Sequence, residues 1–297
     1  MASQRDVKQR IESVRNIQKI TSAMEMVAAA RLRRAEQRIS ALRPYAGAIR
    51  RMTRQAADAA GNIPNLPILQ EREVVGTVGI LLVTGDRGLA GAFNSQIIRA
   101  GIRAAAEHQE AGRNVRWYAT GRRGVSSLNF RGKELAGEFT GFTDRPEYSD
   151  ARTVAERLMA DYVDGSVDRV EIYYNGYISP LAQVVRTEAI LPLQQATITE
   201  AQEGEPEESG HHSLVEYEPD PEFILQRLIP DYIEISIFRA LLESAASEHG
   251  ARMTAMRSAS ENATEVIDDL TLEMNRARQA EITQEIMEVV AGSEALV

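Results

Sequence analysis

The chain has 297 residues, a net charge of −9 with histidine neutral, 5% aromatic residues and no cysteine. The missing cysteines exclude disulfides and thiolate metal centres, no apolar run approaches the ~20 residues of a membrane-spanning helix, and the overall acidity argues against bulk nucleic-acid binding. One or two domains fit this length, and few aromatics beside abundant Ala, Glu and Arg favour helical rods over a thick aromatic core.

Residues 1–54 carry thirteen Lys or Arg against four acids, a local +9 in an acidic protein. Apolar residues at Val7, Ile11, Val14, Ile17, Ala23 or Met24, Val27, Leu32, Ala35, Ile39, Leu42, Ile49 and Met52 step mostly by threes and fours, which predicts a coiled-coil helix. Its Arg-rich start has the composition of a mitochondrial transit peptide, but the pattern runs on unbroken past any usual cleavage point. Arg31-Leu32-Arg33-Arg34 could meet a phosphate backbone or acidic protein surfaces. The lack of stacking aromatics favours protein.

The run Val74–Val83 reads as a buried strand closed by Thr84-Gly85. Gly85-Asp86-Arg87-Gly88-Leu89-Ala90-Gly91 follows, where backbone amides could cradle a phosphate. Its spacing is neither the dinucleotide fingerprint nor a Walker A loop, so a tight strand-to-helix turn is the simpler reading. Helical spacing returns over Asn94–Ala111, a second strand covers Val115–Ala119, and a weaker one lies around Glu134–Phe139. A helix from Ser149, as its N-cap, reaches about Val163. Strands at Val170–Tyr174 and Leu181–Leu191 complete a parallel or mixed sheet. Asp161 with Asp164, and Asp268 with Asp269, read as wet helix faces rather than acid/base pairs.

Residues 198–222 hold nine acids, no base and three prolines, a composition that orders itself weakly. The adjacent His211 and His212 lie here with no further ligand nearby, so a solvated loop is expected rather than a metal site. Helical periodicity then resumes from Leu225 to Val289, with Pro230 near its start. Residues 231–297 carry five Arg and thirteen acids. The expected organisation is a helix over 1–60, an α/β domain over 72–195, an acidic loop over 196–220 and a helix over 221–297.

The fold class is therefore α/β, with a long antiparallel coiled coil of N- and C-terminal helices plus a central Rossmann-like α/β domain. The helices should span roughly 80 Å and 100 Å, leaving a carboxyl-terminal overhang of about 20 Å. A cross-link between positions near 20 and near 280 would test the pairing. No assembled catalytic motif is present.

Five stretches resemble one family: Ile20–Arg34 (ITSAMEMVAAARLRR), Thr84–Asn94 (TGDRGLAGAFN), Tyr217–Pro221 (YEPDP), Ala240–Met256 (ALLESAASEHGARMTAM) and Arg276–Ala291 (RARQAEITQEIMEVVA). The chain is similar to the gamma subunits of F-type ATP synthases over essentially its whole length. The resemblance implies a non-catalytic central rotor shaft without cofactors, which couples ion-driven rotation of the c-ring to conformational change at the beta-subunit catalytic sites. It implies alpha and beta subunits, the epsilon subunit and the c-ring as partners, and no nucleic acid. It also implies a peripheral place on the cytoplasmic face of a bacterial inner membrane. By correspondence, Arg278, Gln279 and Thr283 would meet a catch loop of the beta subunit, Met24 would lie near the acidic beta lever, and Ile286–Val297 would seat in an apolar sleeve. The chain departs from many relatives at Ala90 and Ala92, and the cysteine insertion of chloroplast relatives is absent.

Overall fold

A computed structural model describes residues 4–60, 67–193 and 221–294. The acidic segment 196–220, with His211 and His212, lies outside the described residues, as do residues 217–220 of the YEPDP stretch. The backbone divides into two compact units, Met1–Ala29 with Arg252–Val297, and Ala30–Ala251. Two long helices contribute to both: α1 (Gln4–Ala60) and α5 (Pro221–Glu294). Each continues through an interior proline, Pro44 and Pro230 respectively. Pro221 holds the first position of α5, where a missing N–H costs nothing, so Pro230 lies deeper inside the helix than its sequence context suggests.

In the first unit α1 and α5 run antiparallel. Gln18 Nε2 donates to Thr264 Oγ1 at 2.8 Å and Arg257 Nε to Glu25 Oε1 at 2.9 Å. Both pairs share the sum 282, so residue i of α1 faces residue 282 − i. The seam is lined by Val7, Ile11, Thr21 and Ala28 from α1, and by Met256 and Ala263 from α5, all buried. Val14 and Gln18 are half-buried between them, so the steps alternate four and three, as a heptad requires.

Two expected seam residues are displaced. Ile17 and Val27 are 51% and 53% exposed, because strict heptad steps fall on Gln18 and Ala28 instead. Polar groups are tolerated at these steps because they find partners: Thr21 Oγ1 donates to the Gln18 carbonyl at 3.0 Å. The opposite net charges of the helices are not what the Arg257–Glu25 pair uses. It joins a minority acid of the basic helix to a minority base of the acidic one, at half-exposed positions where an ion pair contributes about 0–1 kcal/mol. Packing, not bulk charge, holds this seam.

The second unit is a five-stranded sheet with strands β1 (Thr77–Val83), β2 (Asn114–Thr120), β3 (Leu135–Phe139), β4 (Arg169–Ser179) and β5 (Ala182–Leu191). Their order is β3-β2-β1-β4-β5, all parallel except the β4–β5 hairpin. β1 is central and covered on both faces, which is why Val78–Val83 reads as an unbroken apolar run. Val74–Gly76 do not join it: the Gly76 and Thr77 amides donate to Asp168 Oδ2 at 2.9 and 2.8 Å.

Among the described residues three further α-helices belong to this unit: α2 (Phe93–Glu110), α3 (Arg122–Phe130) and α4 (Tyr148–Val163). Alternate strand residues feed two cores. Val78, Ile80, Leu82, Trp117 and Ala119 pack with Ile97 and Ala105 of α2 and Leu128 of α3. Leu81, Val83, Tyr118, Ile172 and Tyr174 pack with α4, with Ile49 and Ala56 of α1, and with Leu225–Leu241 of α5. Each fully buried aliphatic side chain contributes about 1.5–3 kcal/mol. The α4 N-cap is Glu147 rather than Ser149, and its amide donates to Asp150 Oδ2 at 2.7 Å.

Asp161 is not on a wet face. It is 4% exposed, accepts from the Tyr118 hydroxyl at 2.5 Å and pairs with Arg157 at 3.2 Å. The four-residue step from α4's basic side chain and the inward-facing Tyr118 make its burial possible. Burial, then this bond to Asp161, raises the Tyr118 pKa. Asp164 by contrast closes the helix end, accepting from the Ser166 amide at 2.8 Å.

Candidate functional site

The loop after β1 is built around Asp86. Its carboxylate accepts from the amides of Arg122 (3.1 Å) and Gly141 (2.9 Å), and from the amide and hydroxyl of Thr143 (3.3 and 3.0 Å). Burial pushes this carboxyl's pKa up, but the donors outweigh it and hold the group below its ordinary value. The Asp86 amide donates in turn to Thr143 Oγ1, and the Gly85 amide to Asn94 Oδ1, both at 2.8 Å. Two of the loop amides that a phosphate could use are thus committed to the fold itself.

A second group closes the same crevice at the carboxyl end of the sheet. A Cβ on Gly85 would come within 2.6 Å of Glu248 Oε2 on α5, so a side chain there would have to push the Glu248 carboxyl group aside. Ser247 Oγ donates to the Asn175 carbonyl at 3.0 Å, and Asn175 Nδ2 to the Phe93 carbonyl at 3.1 Å. His249 Nε2 lies 3.1 Å from the Asp144 carbonyl. In an open α/β sheet ligands enter at this edge. Here the buried Glu248 side chain stands against Gly85, in keeping with the tight-turn reading of residues 85–91.

The Thr84–Asn94 and Ala240–Met256 stretches, far apart in sequence, therefore meet. Sequence reading singled out neither Glu248 nor Asn175. The available signal was the run of three consecutive polar residues, Ser247-Glu248-His249, in an alanine-rich helix.

Nearer the start of α5, an ion network ties helix to sheet. Arg239 Nη2 donates to Glu188 Oε2 at 2.6 Å, and Arg186 reaches Glu243 at 3.2 Å. Burial raises the Glu243 pKa, with Arg239 and Arg186 pulling it back. On α1, Arg31 bonds Asp144, and Arg38 Nη2 donates to the Pro146 carbonyl at 2.5 Å. Arg33 and Arg34 remain exposed.

The four residues expected to contact partners all fall in the first unit. Met24 is half-buried beside the seam, while Arg278, Gln279 and Thr283 are exposed on α5. Thr283 Oγ1 donates back to the Gln279 carbonyl at 2.8 Å. By the register above, Arg278 faces the first described residue of α1, Gln4. Every residue from Arg278 to Val289 is exposed, including Ile282, Ile286, Met287 and Val289. From Arg278 to Glu294 α5 runs on for about 24 Å. The register also corrects the expected neighbours: residue 20 faces 262, about 27 Å along the helix from residue 280. Among the described residues no group of acids and histidines is arranged to hold a metal ion, and no helix is long and apolar enough to cross a membrane.

Comparison with known proteins agrees with this architecture. A sequence model of the ATP synthase family matches residues 3–296. An ATP synthase gamma chain of Rubrobacter xylanophilus is 42% identical, covering 100% of this chain and 99% of the relative. One of Moorella thermoacetica is 43% identical, covering 100% of both. Among solved structures, a chain of the Euglena gracilis mitochondrial ATP synthase (OSCP/F1/c-ring, rotational state 3) superposes with a TM-score of 0.69 at 18% identity. It covers 99% of this chain and 94% of that one. A chain of the Tetrahymena thermophila mitochondrial ATP synthase central stalk/c-ring gives 0.60 at 24% identity, covering 81% and 99%. With relatives this similar along its full length, the chain belongs to the ATP synthase gamma chain family.

Proposed function

We infer that this chain is the central rotor shaft of an F-type ATP synthase, a non-catalytic subunit that couples rotation of the c-ring to sequential conformational change in the beta subunits. The observation that carries this reading is the antiparallel pair of α1 and α5 in one fixed register, continued by an exposed stretch of α5. A pair locked by a heptad seam turns as one body. A single asymmetric shaft inside a ring of three alpha and three beta subunits touches the three catalytic sites differently. It shifts each site's equilibrium by its differential contacts, which is a coupling free energy that depends on angle.

In this reading residues 1–60 and 221–297 supply the shaft. Residues 72–195 supply the foot that meets the epsilon subunit and the c-ring. Arg278, Gln279 and Thr283 offer a guanidinium, an amide and a hydroxyl on an exposed helix surface, suited to polar loops of the beta subunit, and Met24 faces its acidic lever. The apolar Ile282, Ile286, Met287 and Val289 suit an apolar sleeve. The complex would sit peripherally on the cytoplasmic face of a bacterial inner membrane.

Reconstitution with alpha and beta subunits tests the proposal. The chain alone should hydrolyse no ATP, and the assembled complex should. Arg278→Ala with Gln279→Ala should lower assembled activity several-fold without changing the chain's melting temperature. Turnover by the isolated chain, or full activity of the double variant, would refute the assignment.

A further inference from the structure

A cavity of about 550 Å³ lies in the second unit, between α1, the segment after Thr143 and α5. Arg31, Arg34, Arg38 and Arg145 line it, and Asp144 is the one carboxylate among its lining residues. Asp144 is itself engaged by Arg31 and, at 3.7 Å, by Arg87. Arg38 spends one nitrogen on the Pro146 carbonyl. Among the described residues the guanidiniums of Arg34 and Arg145 have no hydrogen bond or ion pair. Leu242, Ala35, Ala41 and Ala245 supply an apolar wall.

Such a set is electrostatically incomplete. Burial, then the neighbouring charge of Arg145, pulls the Arg38 pKa below its ordinary value, with Glu147 and Asp150 acting the other way. Like charges converge on a concave site whose own carboxylate is already paired. An anion seated between them would relieve that repulsion. Guanidinium forks match phosphate oxygens in bidentate geometry, and their weak hydration lowers the cost of entering a pocket. A bare phosphate would underfill the cavity, whose volume lies in the range of small-molecule sites. The excess of positive charge also calls for more than one anionic group.

We propose that this cavity is a binding site for a polyphosphate-bearing anion, held by Arg34, Arg38 and Arg145. Two sources share that chemistry: an inorganic polyphosphate such as pyrophosphate, and a nucleoside diphosphate whose base lies on the Leu242 wall. The site is separate from the amides of residues 85–91, and the proposal does not depend on the rotor assignment.

The test is calorimetric titration of the full chain with pyrophosphate and with ADP at low salt. Saturable binding is expected, weakened by about tenfold in Arg34→Ala and in Arg145→Ala and unchanged in Arg103→Ala, an exposed arginine of α2. Equal affinity for the two ligands assigns the site to the polyphosphate alone, and tighter ADP binding assigns it to the nucleotide. Mass spectrometry after phenylglyoxal treatment gives a readout on the unsubstituted chain: ligand should protect Arg34 and Arg145 from modification and leave Arg103 reactive. No saturable binding, equal loss in Arg103→Ala, or no selective protection would overturn the proposal.

Discussion

The antiparallel register can be tested in a chain that lacks cysteine altogether, so introduced thiols have no background. Gln18→Cys with Thr264→Cys replaces a pair whose side chains already touch at 2.8 Å. A short bismaleimide should join them within one chain, giving a faster-migrating species on denaturing gels. Ile20→Cys with Ala280→Cys should not join, because residue 20 faces 262 and the remaining 18 residues of helix separate the thiols by about 27 Å. A slip of one heptad, tested with Gln18→Cys and Thr271→Cys, would displace the partner by about 10 Å and should cross-link poorly. If the two helices rotate as one body, the 18–264 cross-link should leave ATP hydrolysis by the assembled complex unchanged. Preferential joining of the 20–280 pair would refute the register. Loss of hydrolysis on joining 18 to 264 would refute the single-body shaft.

Further outcomes follow from the second unit and from the end of α5. Asp161→Ala strands the buried Tyr118 hydroxyl and should destabilise the chain by about 2–3 kcal/mol in urea unfolding. Tyr118→Phe, which leaves the carboxylate its arginine partners, should cost less. Gly121→Ala should be worse still, since Gly121 has φ of 83° and its Cβ would lie 2.2 Å from the Thr84 carbonyl oxygen; little soluble protein is expected on expression. The Asp86 carboxyl is held below its ordinary value, so its folded pKa lies below its unfolded one. Its stabilisation is complete above the unfolded value and fades as pH falls through the folded value. The stability gap between the native chain and Asp86→Asn, measured by urea unfolding, should therefore be constant near neutrality and close below about pH 4. Truncation after Ala280 removes only exposed side chains among the described residues, so unfolding should shift by less than about 0.5 kcal/mol, while activity of the assembled complex falls.

Much of the sheet was legible because its strands obey local rules. The β1 run is apolar on both faces, and β2 and β4 carry the same β-branched and aromatic character. The α3 helix was missed: nine residues with only Val125 and Leu128 in step give too little period to detect. Asp161 and Glu248 were misread or passed over for another reason. Each is an ordinary acid on a helix until a distant partner is known, Tyr118 for one and Gly85 for the other. Burial of a charge is decided by what faces it, and no local pattern reports that.

The long helices show the limit of periodicity most directly. Steps of three and four from Val7 to Val289 report that one face of each helix avoids water, not which molecule covers it. From Val7 to Ala28 the cover is α5 itself, and there the seam accepts Gln18, which bonds Thr264 across it, and Thr21, which bonds a carbonyl of its own helix. From Arg278 onward the same spacing brings Ile282, Ile286 and Val289 to the surface, with no residue of α1 opposite them among the described residues. A uniform sequence signal thus divides into an internal seam and an external one only when the register is known. That division suits the proposed shaft: the internal seam fixes the two helices to each other, and in that proposal the external one is what the surrounding subunits would grip.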